Sequence, residues 1–258
     1  MLEPTVSAKL NRREILAGFA GAAPSSAQQP AAATPILITS AASRLAQALA
    51  AGLKEGHRVR LTERAPVRTE HEFVECALGA DAATNAAVRG VEAILHVAQP
   101  LPEDTVEQQV DFLTRCTYNL LQAASEESVP RVVLLSTLEV MAGYPADFTV
   151  SETWSPRPTL GALAWRLGEF TSREFARDAK TNITVLRLGK VVRAEEVKGQ
   201  PFNPLWVEER DVVHAVSRAL SATLARWQIL HIGSDSPRAR FAVTRAKSAL
   251  SYEPRFRW

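Results

Sequence analysis

The sequence has few of the residues that build metal centres or disulfide frameworks. Its 258 residues include only two cysteines, Cys76 and Cys116, and no CxxC spacing. The five histidines are scattered along the chain, so no metal-ligand pattern is present and no metal site is expected. Two buried free thiols are the favoured interpretation of the cysteines, and a disulfide is the alternative.

A strong charge of either sign is also absent. The 30 basic and 28 acidic residues leave a formal net charge of +2, and no basic stripe is interleaved with aromatic residues. We therefore expect no nucleic-acid partner. The apolar run from Ile15 to Ala23 is too short to cross a bilayer, so no permanent membrane span is expected.

The first residues have the features of an export signal. Arg12 and Arg13 precede that weakly apolar run, and small residues end at Ala27. This pattern resembles a twin-arginine signal, which predicts a signal peptide over residues 1–27, a linker over 28–34, one domain over 35–258 and a periplasmic location. A disordered leader with an accidental arginine pair is the alternative, and it would leave the protein in the cytoplasm.

Strand and helix patterns alternate from Pro35 onward. The stretch from Pro35 to Arg64 has the pattern of an apolar strand, a turn of small residues, an amphipathic helix and a second strand with an acidic end. Continuous apolar runs such as RVVLLS at 131–136 are typical of central parallel strands. We predict a Rossmann-type doubly wound parallel sheet with helices on both faces and a small C-terminal substrate lobe from about Phe202.

The predicted elements cover most of the remaining chain. Strands are expected at 72–76, 93–97, 131–136, 182–188 and 228–232, and helices at 80–88, 105–127, 160–179, 211–225 and 243–250. Asp211 is interpreted as the N-cap of its helix. The carboxylates of Glu152, Glu169 and Glu174 have arginine neighbours in the sequence and are interpreted as a solvated, salt-bridged face.

Several sequence blocks together resemble the NAD-dependent epimerase/dehydratase family of extended short-chain dehydrogenases. They occur in the family's order and include ITSAASRLA, GVEAILHVAQP, TYNLLQAASEESVPRVVLLST, VLRLGKVV, LWVEERDVVHAV and ALSYEPRFRW. The resemblance extends over more than two hundred residues. It implies a Rossmann fold with a dinucleotide bound at the turn after the first strand.

The resemblance also identifies cofactor positions, several of which depart from the family pattern. Ser40, Ser43 and Ala46 occupy the three glycine positions of the TGxxGxxG turn, and Ser43 would be strained if its position needs a left-handed backbone. Glu63 occupies the ribose-binding acidic position, whereas Arg64 beside it leaves both NAD and NADP open. Ala77 replaces an aspartate, and Gln99 replaces an alanine. The cofactor-binding residues implied are Ser40, Ala42, Ser43, Arg44, Leu45, Glu63, Arg64, His96, Val97 and Ala98.

The family's proton relay is missing. Alignment on the LGEF segment places Gly161 at the tyrosine position and Trp165 at the lysine position, and neither side chain can transfer a proton. None of the three tyrosines has a lysine four residues later. Thr137 occupies the Ser/Thr position that bonds substrate in the family, and a hydroxyl that only caps the following loop is the alternative.

These departures lead to three functional hypotheses. The first is a dinucleotide-binding, non-catalytic or atypical family member. The second is an active NAD(P)-dependent oxidoreductase or nucleotide-sugar epimerase that uses another acid/base, with Thr137, His96 or a group of the substrate as candidates. The third is a structural interaction domain without cofactor. The expected partners are a nucleotide sugar or another small molecule and, in a homodimer, a second copy of the chain.

Overall fold

The structure, a computed structural model, describes residues 33–178 and 180–256. The predicted signal peptide and residues 28–32 of the predicted linker lie outside these residues. The first strand begins at Thr34, so the end of the predicted linker belongs to the folded domain.

Strand and helix patterns correspond closely to the observed elements. The nine strands described are β1 (Thr34–Ile38), β2 (His57–Glu63), β3 (Glu72–Glu75), β4 (Ala93–His96), β5 (Arg131–Thr137), β6 (Asn182–Leu188), β7 (Lys190–Val192), β8 (Trp206–Glu208) and β9 (Trp227–Ile232). The α-helices described are α1 (Arg44–Leu53), α2 (Ala82–Val88), α3 (Val106–Asp111), α4 (Thr117–Glu126), α5 (Leu163–Asp178), α6 (Glu209–Ser221) and α7 (Thr244–Leu250).

Seven strands form one parallel sheet in the order β3-β2-β1-β4-β5-β6-β9. Successive residues of a strand face opposite sides, so Ile36 and Ile38 join the core beneath α1, α6 and α7, whereas Leu37 joins the core beneath α2 and α4. The doubly wound Rossmann-type fold is confirmed. The chain reverses its direction of winding between β1 and β4, and the carboxyl ends of these strands form the crevice where such sheets bind ligands.

The long helix predicted over 105–127 is present, but its middle segment is π-helical rather than α-helical. Thr105 and Gln108 form a reciprocal capping box at the start of α3. Phe112–Cys116 then forms a π-helical segment before α4. Gly168 of α5 lies against this segment, and a Cβ at Gly168 would be 2.7 Å from the carbonyl oxygen of Leu113. The glycine therefore permits the close approach of α5.

The start of α6 differs from the prediction. The helix begins two residues earlier, at Glu209, and its N-cap is Glu208 rather than Asp211. Asp211 lies inside the first turn, where its carboxylate accepts hydrogen bonds from the backbone amides of Arg255 and Phe256 at 2.9 and 3.1 Å. The N-cap interpretation is wrong because Asp211 binds the C-terminal segment, which is distant in sequence.

A second sheet of two strands lies outside the seven-stranded sheet. The short strands β7 and β8, which the sequence did not reveal, pair in parallel as a separate ribbon. A small apolar cluster beside them combines segments that lie far apart in the chain. Its buried members are Leu138, Val140, Met141, Val150, Ala162 and Phe241. The apolar residues of this cluster therefore come from both sides of Phe202 in the sequence.

Candidate functional site

The turn after β1 keeps the shape of a glycine turn without glycine. Ser40 has a left-handed backbone, with φ of 57°, and its hydroxyl accepts a hydrogen bond from the amide of Gln99 at 3.2 Å. Ser43 has an extended backbone (φ −75°, ψ 144°) and caps α1 by accepting from the amide of Ala46 at 3.1 Å. Backbone strain therefore lies at Ser40 and not at Ser43.

The N-terminus of α1 faces the crevice. The first amides of a helix have no acceptor within the helix, and the helix dipole adds positive potential there. Ser43 satisfies the amide of Ala46, and the side chains of Arg44 and Leu45 line a cavity of about 410 Å³. This arrangement of small residues, amides and one guanidinium fits the diphosphate of a dinucleotide.

Glu63, the residue predicted to bind ribose, ends β2, and Arg64 follows it. The Glu63 carboxylate is 8% exposed and accepts from the amides of Ala42 (3.2 Å) and Arg64 (2.9 Å). Each carboxylate oxygen can accept a further hydrogen bond. The Arg64 guanidinium forms an ion pair with the buried Asp104. Glu63, Arg64 and Ala77 line a second cavity of about 220 Å³, on the β2 and β3 side of the crevice.

His96 is placed differently from the prediction. Its ring is 1% exposed and lies between the hydroxyls of Thr39 (Nδ1, 2.9 Å) and Thr117 (Nε2, 3.0 Å). Burial lowers the pKa of His96 to about 3. The imidazole therefore stays neutral near pH 7 and has no access to a ligand, which argues against His96 as a substitute acid/base and against contact between its ring and a cofactor.

Val97, Ala98 and Gln99 continue from His96 along the floor of the larger cavity. Val97 donates its amide to the Thr39 hydroxyl at 3.1 Å, and Ala98 has a left-handed backbone with φ of 52°. Gln99 lines both cavities. The loop after β4 therefore connects the Glu63 side of the crevice to the side that contains Thr137.

The position of Thr137 bears on both of the roles that the sequence left open. It lines the larger cavity, and its Oγ1 accepts from the amide of Glu139 at 3.1 Å. Because the oxygen serves as an acceptor in that cap, the hydroxyl proton remains available to a ligand. Both interpretations of Thr137 are compatible with the geometry.

Gly161 and Trp165, the residues predicted to occupy the family's relay positions, carry no group that titrates near neutral pH. Gly161 lies in a single 3-10 turn, Leu160–Ala162, before α5. A Cβ built on Gly161 would have only the Thr159 hydroxyl, at 3.9 Å, within contact distance, so a larger side chain has room. Trp165 lines the larger cavity. Among the described residues that line this cavity, Arg44 is the only charged one and none is tyrosine, lysine or histidine.

Sequence reasoning missed a buried ionic cluster beneath the site. Glu169 is fully buried and accepts from Arg187 Nε (2.8 Å), Arg187 Nη2 (2.7 Å) and the Ser136 hydroxyl (2.8 Å). Glu152 is also buried and accepts from the amide of His231 at 3.1 Å. The solvated-face interpretation is therefore wrong for Glu169 and Glu152. It describes only Glu174, which pairs with exposed arginines.

The cysteines are free and buried, as predicted. Both line the smaller cavity, and burial raises the pKa of Cys116 to about 11. Across residues 33–178 and 180–256, no group of three potential metal-binding side chains occurs. In the same part of the chain, no helix is both long and apolar enough to cross a membrane.

Comparison with known proteins identifies the family. The sequence matches the NAD dependent epimerase/dehydratase family over residues 36–204. A curated relative, the NAD-dependent glucose-6-phosphate dehydrogenase of Haloferax volcanii, is 23% identical over 246 residues, which cover 85% of this chain and 92% of the relative.

Two solved structures share the fold. A uronate dehydrogenase variant from Agrobacterium tumefaciens, complexed with NAD, superposes with a TM-score of 0.77 at 23% identity, covering 87% of this chain and 86% of that one. MoeE5 in complex with UDP-glucuronic acid and NAD superposes with a TM-score of 0.72 at 20% identity, covering 86% of this chain and 94% of that one. The family match, the sheet order and the turn after β1 agree, and the chain belongs to the NAD-dependent epimerase/dehydratase family.

Proposed function

We propose that the protein binds NAD across the two cavities and does not perform the tyrosine-driven hydride chemistry typical of its family. The observation that carries this proposal is the composition of the larger cavity. The sequence alignment assigns Gly161 and Trp165 to the relay positions, and the described lining contains no group that titrates near neutral pH. The diphosphate would bind at the N-terminus of α1, and Glu63 would accept the ribose hydroxyls.

The charges near Glu63 favour NAD over NADP. A 2′-phosphate would approach the Glu63 carboxylate, which lines the smaller cavity, and like charges would repel. Arg64 is the nearby cation in the sequence, but its guanidinium is paired with Asp104. Breaking that pair would offset part of any gain from a contact with the phosphate.

Titration of the full chain with NADH and NADPH by calorimetry tests this proposal. We expect NADH to bind and NADPH to bind more weakly. Absence of NADH binding at millimolar concentration would refute it and would favour the structural-domain hypothesis. A Glu63→Arg variant that reverses the preference would support the assignment of Glu63.

An active oxidoreductase is the second candidate. Names of relatives support it, since both the glucose-6-phosphate dehydrogenase and the uronate dehydrogenase are dehydrogenases. Thr137, which lines the cavity with an available hydroxyl proton, supports it too. Reduction of NAD in the presence of uronic acids, glucose 6-phosphate or UDP-glucuronic acid would establish this alternative if the rate falls in a Thr137→Ala variant.

We also propose that two copies pair through α5 and its neighbour α4. Apolar side chains at helical spacing are exposed along one face: Leu160 is 91% exposed, and Leu163, Leu167 and Phe170 are each more than 40% exposed. Tyr118 of α4 is 50% exposed. A twofold contact would bury the same stripe on both subunits.

The export proposal rests on the sequence alone. Arg12 and Arg13 would direct the folded protein to the periplasm by the twin-arginine route. A chain carrying lysine at both positions should remain in the cytoplasm. An unchanged location in cell fractionation would contradict the proposal.

A further inference from the structure

Arg44 connects the proposed diphosphate site to a distant loop. It is the first residue of α1, and its Nη1 donates to both carboxylate oxygens of Glu196, at 2.8 and 3.0 Å. Its Nε lies 3.2 Å from Oε2 of Glu209, the first residue of α6. Glu209 also accepts from Arg193 Nε at 2.8 Å. The guanidinium that faces the proposed diphosphate site is therefore already held by two carboxylates.

The position of Glu196 makes this contact relevant to a second cavity. Glu196 lies in the segment between β7 and β8, residues 193–205, which lines a third cavity of about 680 Å³. Lys190 and Val192 of β7 line that third cavity, whereas Val191 lines the larger cavity of the site. Alternate residues of a strand face opposite sides, so β7 forms the wall between the two cavities. The Arg44–Glu196 ion pair therefore connects the proposed diphosphate site to residues 193–205, which line the third cavity.

The ion pair between Arg44 and Glu196 is weak enough for a ligand to compete with it. The side chains of Arg44 and Glu196 are both 45% exposed, and half-exposed ion pairs are weak and screened by salt. Glu209 is 7% exposed, and its Oε2, although close to Arg44, has no hydrogen-bond partner of good geometry. A diphosphate at the first turn of α1 would carry two negative charges, would add hydrogen bonds to backbone amides, and would compete with Glu196 for the guanidinium.

We propose that a bound nucleotide diphosphate takes Arg44 from Glu196 and thereby removes one of the contacts that hold residues 193–205, the segment that lines the third cavity. The pairs Arg193–Glu209 and Glu195–Arg210 would still hold the segment, so the expected effect is a loosening of the loop. This inference rests on the proposed binding of NAD. It assigns two functions to Arg44: a phosphate contact when nucleotide is bound, and a tether for the loop when it is not.

A comparison of Glu196→Gln with Glu195→Gln tests the competition. Glu195 is the adjacent carboxylate, but it pairs with Arg210 and has no contact with Arg44. Without the charge on Glu196, Arg44 should be more available, and we expect the Kd for NADH to fall by about two- to fivefold, the range for an exposed ion pair. Glu195→Gln should bind NADH like the wild type.

Limited trypsin digestion provides a readout of the loop itself. Lys198 is an exposed cleavage site within residues 193–205. Cleavage there should be slow in the free wild-type protein and faster in the wild type with saturating NADH. In Glu196→Gln it should be fast without NADH.

The outcomes separate this inference from the proposed function. If neither the wild type nor the variants bind NADH, the proposed function and the proposed competition for Arg44 are both refuted. If the wild type binds NADH but Glu196→Gln has the same Kd and the same cleavage rate as the wild type, NAD binding stands and the tether is refuted. Cleavage at Lys198 that NADH slows in the wild type would also refute the loosening of the loop.

Discussion

Replacement of Glu169 by alanine provides the most direct test of the buried ionic cluster. The carboxylate is fully buried and accepts three hydrogen bonds of 2.7 to 2.8 Å, two of them from Arg187, and a longer one of 3.5 Å from Arg166. Arg187 is 1% exposed, and its remaining described side-chain contact is with the sulfur of Met141 at 3.2 Å. Removal of Glu169 therefore leaves a buried guanidinium without a counter-ion.

The expected loss of stability is large. Removing one partner of a buried ion pair costs about 3–5 kcal/mol, because the other charge stays desolvated. For a domain of this size each kcal/mol lowers Tm by about 2–4 °C, so Glu169→Ala should lower Tm by about 6–20 °C. Urea denaturation followed by circular dichroism should give a matching decrease in the free energy of unfolding.

Glu174→Ala is the matched control on the same helix. Glu174 pairs with Arg173 and Arg177 at 2.9 and 2.7 Å, and these arginine side chains are 48% and 70% exposed. Exposed pairs contribute about 0.2–1 kcal/mol, so this variant should be nearly as stable as the wild type.

A double variant tests whether the loss of stability comes from the unpaired charge. Glu169→Leu combined with Arg187→Met removes both charges, and its cost should be well below the sum of the two single replacements. A cost of less than about 1 kcal/mol for Glu169→Ala, or a cost equal to that of Glu174→Ala, would refute the buried placement and restore the solvated-face interpretation.

Three further predictions concern pH, chemistry and assembly. Burial lowers the pKa of His96 and of His231 to about 3, so the unfolded chain is protonated at these residues at a higher pH than the folded protein. The free energy of unfolding should therefore decrease as the pH falls below about 6.5, by about 2 kcal/mol per histidine at pH 5. A Tm that does not change between pH 7 and pH 5 would contradict this prediction. Gly161→Tyr combined with Trp165→Lys should raise NAD-dependent turnover above that of the wild type, because a Cβ at position 161 would meet only the Thr159 hydroxyl, at 3.9 Å, and neither single variant should do so. Leu167→Glu should convert the proposed dimer to a monomer in analytical ultracentrifugation, because it places a charge in the exposed apolar stripe of α5. A wild-type protein that is itself monomeric would contradict the proposed pairing.

Much of the site could be located from the sequence. The small residues at 40, 43 and 46 predicted the turn, and Thr137 and Trp165 line the cavity beside it. The assignment of Gly161 and Trp165 to the relay positions stays a prediction. Ser40 shows the limit of this reasoning. A pattern of small residues indicates that a turn is present, but it does not indicate which residue adopts the left-handed backbone, because that depends on the path of the chain from β1 into α1.

The sequence by itself determined most of the secondary structure of this chain. Continuous apolar runs such as 131–137 form central strands because both faces of a parallel strand are buried, and hydroxyl residues such as Thr105 start helices because they accept free amides. The tertiary structure decided which charged groups are buried and which partners they have. Arg44 and Glu196 are 152 residues apart, and Glu169 and Ser136 are 33 apart. Sequence periodicity describes the faces of one element, whereas ion pairs and burial depend on which other elements pack against those faces.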